Sequence, residues 1–275
     1  MSARNSGKLI QLLTMKNKNE IKCLRCKKTI LTVTIPNLGN MPLRRYCEDC
    51  VLWIRRNEQE NKDIEMKLRR ERIRSEWRGQ QLPPLFIDKN FSSFEHDRGD
   101  INKVYKWCVN YADNYQYANG YPSLVLYSKN NGVGKTHLLI SIFHRIIDRW
   151  TGDIPSGASP PCPASYFREV DLLSELRACQ RFDSGITERQ LYGKLSVSKM
   201  LIIDDLGKGK TNDTVREFYF RLIDLRYITK KPVVLSSNLD PEELINYMGS
   251  AACDRLMAMC KKAIQVPGES YRGCK

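Results

Sequence analysis

Beyond residue 122 the chain alternates between short, wholly apolar segments and longer segments in which apolar positions recur with helical spacing. Strands that are apolar throughout are typical of a parallel sheet that helices cover on both faces. Residues 151–163 contain four prolines and two glycines, and we expect a surface loop there. The pattern therefore predicts a three-layer α/β domain. Its predicted strands are 123–127, 165–167, 199–204 and 232–236, and its predicted helices are 137–150, 170–182 and 214–229.

Residues 51–79 have a different pattern, since they are dense in Arg, Glu and Lys and contain few apolar residues. Four of these apolar residues recur at steps of four or five positions, which suits a long, exposed helix with a narrow apolar stripe. Gly79 and the following Pro83 and Pro84 should end this helix. We therefore expect a domain boundary near residues 80–90. The stripe consists of Ile64, Leu68, Ile73 and Trp77.

The chain has 275 residues, of which 41% are hydrophobic, enough for a conventional core and too many for a mainly disordered protein. Its formal charge is +14. Residues 1–79 hold 19 Lys and Arg against 9 Asp and Glu, whereas residues 80–275 hold 26 against 22. This concentration of positive charge indicates an acidic protein surface or nucleic-acid phosphates as the partner. The alternative is a solvated basic face that only keeps the protein soluble.

No apolar segment approaches the roughly 18 residues that a membrane-spanning helix requires, so we expect no membrane association. The N-terminal residues carry one short apolar patch, 9–13, and no small-residue cleavage site, which argues against a secretory signal. We therefore expect a cytoplasmic protein whose thiols are reduced. Close cysteine pairs in such a protein are interpreted first as metal ligands.

A phosphate-binding loop is predicted at 129–136, between a strand and a helix. Gly134, Lys135 and Thr136 match the end of the P-loop pattern, whereas Lys129 stands where its first glycine is expected. Backbone N–H groups of such a loop surround an anion, the lysine reaches the terminal phosphates, and the threonine hydroxyl ligates Mg²⁺. His137 is expected to be a packed helix residue rather than a catalytic one. The predicted ATP-contacting residues are Asn131, Gly132, Val133, Gly134, Lys135, Thr136 and His137.

The apolar segment 201–203 ends in two carboxylates, Asp204 and Asp205. A strand that ends in this way is the usual partner of a P-loop, because its first carboxylate holds the hydrated Mg²⁺. Asp204 is therefore the expected Mg²⁺ residue together with Thr136, and Asp205 is the candidate that polarises the attacking water. Asp205 is one methylene shorter than the glutamate usual at that position. We expect the chain to bind ATP and to hydrolyse it.

Asn238 follows the next predicted strand, where an amide can contact the γ-phosphate or the attacking water as a sensor. Alternatively, Asn238 opens a turn before Asp240, which should cap the following helix. The sensor interpretation is favoured because the same chain carries the P-loop and the paired carboxylates.

Four cysteines near the N-terminus form two pairs with the same internal spacing, Cys23-x-x-Cys26 and Cys47-x-x-Cys50. Two such pairs around a strand-like segment, 29–35, are typical of a four-thiolate Zn²⁺ ribbon. A domain this small needs the metal, because its core cannot stabilise it by burial alone. The alternative is a redox disulfide pair. The remaining cysteines lack ligand spacing and should be buried or incidental; they are Cys108, Cys162, Cys179, Cys253, Cys260 and Cys274.

Several of these motifs together resemble the DnaC/DnaI/IstB group of AAA+ ATPases. The matching segments are 82–84, 91–95, 132–139, 201–207, 237–244 and 268–272, and the resemblance covers about residues 82–273. It implies an AAA+ ATPase domain at 91–275, preceded by a zinc-ribbon domain at 1–55 and a charged helix and linker at 56–90. Lys129 and Glu269 depart from the group's pattern.

The resemblance also implies roles for two arginines. Arg255 matches an arginine finger that acts on the neighbouring subunit, and Arg272 matches a sensor 2-like arginine. The alternative is that neither arginine acts in catalysis, so that Arg255 is a surface salt-bridge residue and Arg272 is part of a solvated tail. With these residues, the expected cofactors are ATP, Mg²⁺ and Zn²⁺, and the subunits should assemble into an ATP-bridged oligomer.

A zinc ribbon ahead of the ATPase domain favours one branch of this group, the helicase loaders. The implied function is ATP-dependent delivery of a replicative helicase to single-stranded DNA in replication initiation or restart, near the nucleoid. The N-terminal domain would bind the helicase, the AAA+ domain would bind single-stranded DNA, and turnover would be slow and stimulated by DNA or a partner. Two alternatives remain, an IstB-like transposition ATPase and a non-hydrolysing, ATP-binding zinc-ribbon adaptor.

Overall fold

The computed structural model divides the chain into two units, Met1–Glu71 and Arg72–Lys275. The division falls inside the predicted helix and linker segment, 56–90. The separate 56–90 domain stays a prediction. The described residues are 18–35, 41–42, 45–97, 99–155, 159–180, 185 and 187–271.

In the first unit, three strands form an antiparallel sheet in the order β1-β2-β3. Helix α1, Glu48–Gln81, begins in this unit and has Glu48 and Asp49 in its first turn, where carboxylates complement the helix dipole. Among the described residues, the hydrophobic core of this unit consists of three cysteines with Ile30 and Tyr46 packed against them. A core this small provides little hydrophobic stabilisation. The strands are β1, Lys18–Lys22, β2, Thr29–Ile35, and β3, Met41–Pro42.

In the second unit, the described residues form a five-stranded parallel sheet in the order β5-β6-β7-β4-β8. All five residues of β7 are buried, and β6 is buried except at one position. Strands this apolar can only lie inside an α/β sandwich, so the predicted three-layer fold is confirmed. The strands are β4, Ser123–Tyr127, β5, Ala164–Arg168, β6, Met200–Leu206, β7, Val233–Ser237, and β8, Cys260–Gln265.

The helices of this unit cover both faces of the sheet. Leu124 and Leu126 of β4 belong to one hydrophobic cluster, whereas Val125 belongs to another, as the two-residue period of a strand requires. None of these helices, nor α1, is long and apolar enough to cross a membrane, within the described part of the chain. The helices are α2, Ile101–Asp113, α3, Lys135–Arg149, α4, Glu169–Cys179, α5, Glu188–Val197, α6, Asp213–Ile228, α7, Pro241–Met248, and α8, Ser250–Met259.

The apolar stripe of α1 has two different environments. Ile64 and Leu68 are exposed, whereas Ile73 and Trp77 are buried within the second unit, where the Trp77 ring meets the edge of Trp150 at 5.0 Å between centroids. The helix passes through Gly79, because one glycine costs an exposed helix only about 1 kcal/mol. It ends at Gln81, just before the proline pair, two residues beyond the predicted end.

The amphipathic pattern did not reveal every element. Helices α2, α5 and α8 were not predicted, and neither was β8, which carries Lys262 and pairs with β4 at the edge of the sheet. Edge strands commonly carry lysine, which weakens the apolar signal of such a strand. The described residues of 151–163 form no helix or strand; α3 ends before them at Arg149, and β5 begins after them at Ala164. The loop prediction is therefore confirmed for these residues.

Candidate active site and metal centre

The P-loop lies between β4 and α3, at the N-terminus of the helix. Gly132 and Gly134 have φ angles of 76° and 97°, which favour glycine. A Cβ on Gly134 would also lie 2.7 Å from Cε2 of Phe94. The glycines thus let the backbone turn tightly and let the Phe94 ring approach the loop, which leaves the helix N-terminus open to an anion.

A cavity of about 370 Å³ opens over this loop. It contains six of the seven residues predicted to contact ATP, whereas Val133 is buried and does not line it. Asp205 lies near the end of β6, and Asn238 follows β7, the strand between β6 and β4. Both residues line the same cavity. The structure therefore places eight of the sequence-predicted site residues around one space. Its lining residues are Lys89, Ser93, Phe94, Glu95, Asn131, Gly132, Gly134, Lys135, Thr136, His137, Asp205, Lys208, Asn238 and Tyr271.

The two predicted Mg²⁺ ligands are in direct contact. The Thr136 hydroxyl donates to Asp204 Oδ1 at 3.1 Å, and Asp204 also accepts hydrogen bonds from Ser236 at 2.5 Å and from Tyr166 at 2.8 Å. Burial raises the pKa of Asp204, while the hydrogen bonds from Ser236, Tyr166 and Thr136 oppose that rise. A carboxylate and a hydroxyl are the hard oxygen ligands that Mg²⁺ prefers, so this pair fits the ion.

Asp205 has a strained backbone, with φ at 59°, at a point where the pairing register of β6 and β7 shifts. Its N–H donates to Ser236 Oγ at 2.9 Å, which fixes the irregular turn. Its carboxylate lies 2.6 Å from the ammonium of Lys208. Because the left-handed conformation turns Asp205 away from the strand's regular alternation, its carboxylate lines the cavity beside that of the buried Asp204.

The two lysines of the P-loop have different surroundings. Lys135 is buried, and its ammonium donates to the carbonyl oxygens of Ser128 and Asn130 at 3.0 and 2.9 Å. Lys129, at the position of the missing glycine, pairs with Asp240 at 2.9 Å and lies 3.5 Å from Glu243. Lys129, which replaces the first glycine of the P-loop pattern, thus links the loop to the N-terminus of α7.

Asn238 lines the cavity one residue after β7. Its Oδ1 is buried and accepts no hydrogen bond from the described residues. An amide in this position can accept a hydrogen bond from a water molecule through its oxygen and donate to a phosphate through its nitrogen. Asp240 caps α7 by accepting the N–H of Glu243 at 2.9 Å, as predicted.

His137 connects the P-loop helix to the segment before α2. Its Nε2 lies 2.9 Å from the Asn90 carbonyl and 3.2 Å from Ser93 Oγ, and its ring meets the edge of Phe94 at 5.0 Å. Burial lowers the pKa of His137. These contacts give the side chain a packing role at the cavity wall.

Of the two predicted arginines, only Arg255 is among the described residues, and it does not line this cavity. Arg255 lies on α8, 2.8 Å from Asp224, with its guanidinium 4.9 Å from the centre of the Phe220 ring. Arg272 lies outside the described residues. Its neighbour Tyr271 does line the cavity, and the Tyr271 N–H donates to the Gly132 carbonyl at 3.2 Å.

Several residues of the site were not predicted from the sequence, among them Phe94, Tyr166, Lys208 and Ser236. Ser236 lies at the polar end of β7, two residues before Asn238, which the sequence did predict as a site residue. Tyr166 reaches Asp204 across the sheet from β5, and no local spacing connects residues that lie this far apart in sequence.

The second candidate centre is the cysteine cluster of the first unit. The Sγ atoms of the four cysteines all lie within 4.8 Å of one another, and those of Cys26 and Cys47 are 3.6 Å apart. With Zn–S bonds of about 2.3 Å, tetrahedral sulfur ligands lie about 3.8 Å apart. Cys23, Cys47 and Cys50 are buried. Four clustered thiols could therefore hold a metal ion, and their number and type fit a structural Zn²⁺ site.

Further hydrogen bonds surround these thiols. The Cys47 N–H donates to Cys23 Sγ at 3.4 Å, and Arg25 donates to Cys50 Sγ at 3.8 Å. Such donors stabilise thiolates and orient metal ligands. Among the other described cysteines, Cys108 and Cys253 are buried, whereas Cys162, Cys179 and Cys260 are partly buried. Cys274 lies outside the described residues.

A model of the IstB-like ATP-binding protein family matches residues 65–275. The replicative helicase loader DnaC of Escherichia coli (strain K12) is 24% identical over 238 residues, which cover 84% of this chain and 89% of that protein.

Solved structures share the fold. A crystal structure of the DnaC helicase loader is 19% identical with a TM-score of 0.55, covering 67% of this chain and 100% of that chain. A crystal structure of DnaI is 18% identical, also with a TM-score of 0.55, over 70% of this chain and 94% of that chain.

Proposed function

The chain belongs to the IstB-like ATP-binding protein family, and we propose that it is an ATP-dependent loader that delivers a replicative DNA helicase to single-stranded DNA. One observation carries the ATP-dependent part of this proposal. Lys135, Thr136, Asp205 and Asn238 line a single cavity, and Asp204 contacts Thr136 from behind it. The similarity to proteins named replicative helicase loader DnaC supports the delivery part. It favours a loader over a transposition ATPase or a non-hydrolysing adaptor.

Hydrolysis would follow from the side chains around the cavity. The P-loop N–H groups and Lys135 bind the phosphates, and Asn238 orients a water molecule. That water attacks the γ-phosphorus and transfers a proton to Asp205, while the bond to the ADP oxygen breaks. Thr136 and Asp204 would hold Mg²⁺, which neutralises charge on the β- and γ-phosphate oxygens when it is bound. We expect slow turnover that DNA or a partner stimulates.

Assembly would complete the site. Arg255 lies outside its own cavity, and we propose that it reaches the γ-phosphate bound by a neighbouring subunit in an ATP-bridged oligomer. Arg272 would act as the sensor 2 residue, because Tyr271 beside it lines the cavity. In this arrangement, ATP holds the subunits together and orders a channel for single-stranded DNA.

The N-terminal unit would hold the helicase. Its Trp53 is half-exposed and carries the Arg25 guanidinium 3.4 Å from the centre of the ring. Leu24 and Leu52 are also exposed. A Trp–Arg pair flanked by apolar side chains has the composition of a protein-binding hot spot. Hydrolysis or DNA binding would then release the helicase.

Replacing Trp53 by Ala in the full chain should weaken capture of the same organism's replicative helicase by about 30-fold, because truncating a hot-spot tryptophan commonly costs 2 kcal/mol or more. Ile228→Ala, at an exposed apolar residue of the ATPase unit, is the control and should have no effect. Titration calorimetry without ATP measures both affinities.

Salt dependence distinguishes this contact from DNA binding. Helicase capture should vary little with salt, whereas phosphate neutralisation gives a steep logarithmic loss of affinity. Tight, salt-sensitive DNA binding that Trp53→Ala abolishes, with no capture of helicase by the parent, would contradict the proposed loader.

A further inference from the structure

The turn that follows β6 is held by one buried carboxylate. Glu169, at the start of α4, is completely buried. Its Oε2 accepts the N–H groups of Gly207, Lys208 and Gly209 at 2.8, 2.9 and 3.1 Å. Its Oε1 accepts the hydroxyl of Tyr219 at 2.7 Å. Three consecutive N–H groups that converge on one ionisable oxygen leave the turn little freedom to rotate, because hydrogen bonds to a carboxylate are stronger than neutral ones.

The glycines on either side of Lys208 allow this turn to form. Gly207 has a φ of 97°, and a Cβ there would lie 2.4 Å from Leu239 Cδ1. A Cβ on Gly209 would lie 2.5 Å from Leu173 Cδ1. Both positions are therefore packed against neighbouring side chains, and the backbone of Lys208 is fixed from both sides.

This fixed turn directs the Lys208 side chain into the nucleotide cavity. Lys208 lines that cavity together with Lys135 and Asp205, and its ammonium lies 2.6 Å from Asp205 Oδ2. Lys210, two residues later, is exposed like Lys208 but does not line the cavity. Of the two lysines in this turn, only Lys208 therefore lies where it can contact a bound phosphate.

From this geometry we infer that Lys208 is a second cationic residue of the nucleotide site, which contacts the terminal phosphate in cis, and that Glu169 is the positioning residue that aims it. This inference rests on the proposed ATP-dependent function. An ammonium has three N–H donors, so Lys208 can keep its bond to Asp205 and still donate to a phosphate oxygen. It would then hold the proton-accepting carboxylate next to the phosphorus at which water attacks, while its charge stabilises the transferred group.

Lys208→Met tests the phosphate contact directly. It removes the ammonium but keeps an unbranched side chain. We expect at least a ten-fold loss of ATP affinity, an ADP affinity within two-fold of the parent, and a fall in kcat of about 100-fold, the size seen when one preorganised donor is removed. Lys208→Arg should recover part of both losses, and Lys210→Met is the matched control. Equilibrium binding of ATP and ADP to the full chain, with steady-state phosphate release, provides these values.

Glu169→Gln tests the positioning residue. Glutamine keeps one acceptor oxygen for the three N–H groups but removes the negative charge, so the hydrogen bonds that fix the turn become weaker. The variant should lose ATP affinity selectively over ADP affinity, as Lys208→Met does, but by a smaller factor. Tyr219→Phe is the control, because it removes the hydrogen bond to Oε1 and keeps all three bonds to Oε2. It should retain the parent's ratio of ATP to ADP affinity.

The outcomes separate this inference from the function on which it rests. A parent chain that binds neither nucleotide would overturn both. A parent that binds ATP, with Lys208→Met showing an unchanged ratio of ATP to ADP affinity, would overturn the inference alone, even if kcat fell. If Glu169→Gln does not fold, the binding ratio of Lys208→Met still decides the phosphate contact.

Discussion

Replacing Arg255 by Ala should reduce ATP turnover by about 10³–10⁵-fold while leaving ATP affinity within a few-fold of the parent. An arginine finger stabilises charge that develops on the transferred phosphoryl group, and losses of this size follow its removal. Arg255 has no contact with its own cavity and pairs instead with Asp224 on α6. Because both side chains are partly exposed, that ion pair should contribute less than about 1 kcal/mol to stability. A folded but inactive variant is therefore the expected result.

A mixing experiment shows whether Arg255 acts in trans. Lys135→Ala should have an intact Arg255 and an empty nucleotide cavity, whereas Arg255→Ala should have an occupied cavity and no finger. Mixed, the two inactive variants should recover part of the activity at shared interfaces. Arg216→Ala, at a partly exposed arginine of α6, is the control and should hydrolyse ATP like the parent. If both variants are folded and no activity returns, Arg255 has a structural role or acts in cis.

Removing zinc should unfold the first unit and leave ATP binding almost unchanged. Metal analysis of the purified chain should find about one Zn²⁺ per chain, since four thiolates complete a tetrahedral site. Structural zinc sites of this kind supply about 10–16 kcal/mol of apparent binding free energy, which a core of three cysteines, Ile30 and Tyr46 cannot replace. Chelation should reduce the circular dichroism signal of the full chain because residues 1–55 unfold. The ATPase unit should retain its own core and its nucleotide affinity.

Two cysteine variants test whether the four clustered thiols are the zinc ligands. Cys23→Ser removes one proposed ligand and should lose zinc, whereas Cys179→Ser changes a partly buried thiol of α4 and should retain it. A first unit that stays folded without metal would contradict the zinc assignment. It would also leave the exposed Trp53 surface intact, so helicase capture would then survive chelation.

The sequence was most informative where function depends on consecutive residues. The P-loop was recognisable because a strand, a turn and a helix follow one another directly, and the paired carboxylates because they end an apolar strand. The structure places the P-loop and Asp205 around one cavity, and Asp204 contacts Thr136 of the P-loop. Apolar strands such as 233–237 were recognisable because they are buried along their whole length. Strand β8 was not, since it lies at the sheet edge, where lysine is tolerated.

The remaining residues of the site could not be predicted from spacing. Glu169 and Tyr166 reach the end of β6 from a different strand and helix, and only the fold brings them there. Lys208 follows the carboxylates closely, but sequence gives no sign that its turn aims into the cavity while Lys210 stays outside. The sequence shows Lys129 only as a departure from the P-loop pattern, whereas the structure shows its partner, Asp240.

The most direct test of the proposed loader is helicase loading itself. Purified chain, helicase and ATP are added to circular single-stranded DNA coated with a single-strand binding protein, and helicase retained on the DNA is measured. The parent should load helicase only with ATP, Lys135→Ala should bind helicase and fail to load it, and Lys210→Ala should match the parent. Equal loading by Lys135→Ala, or a parent that hydrolyses ATP and never places helicase on DNA, would contradict the account.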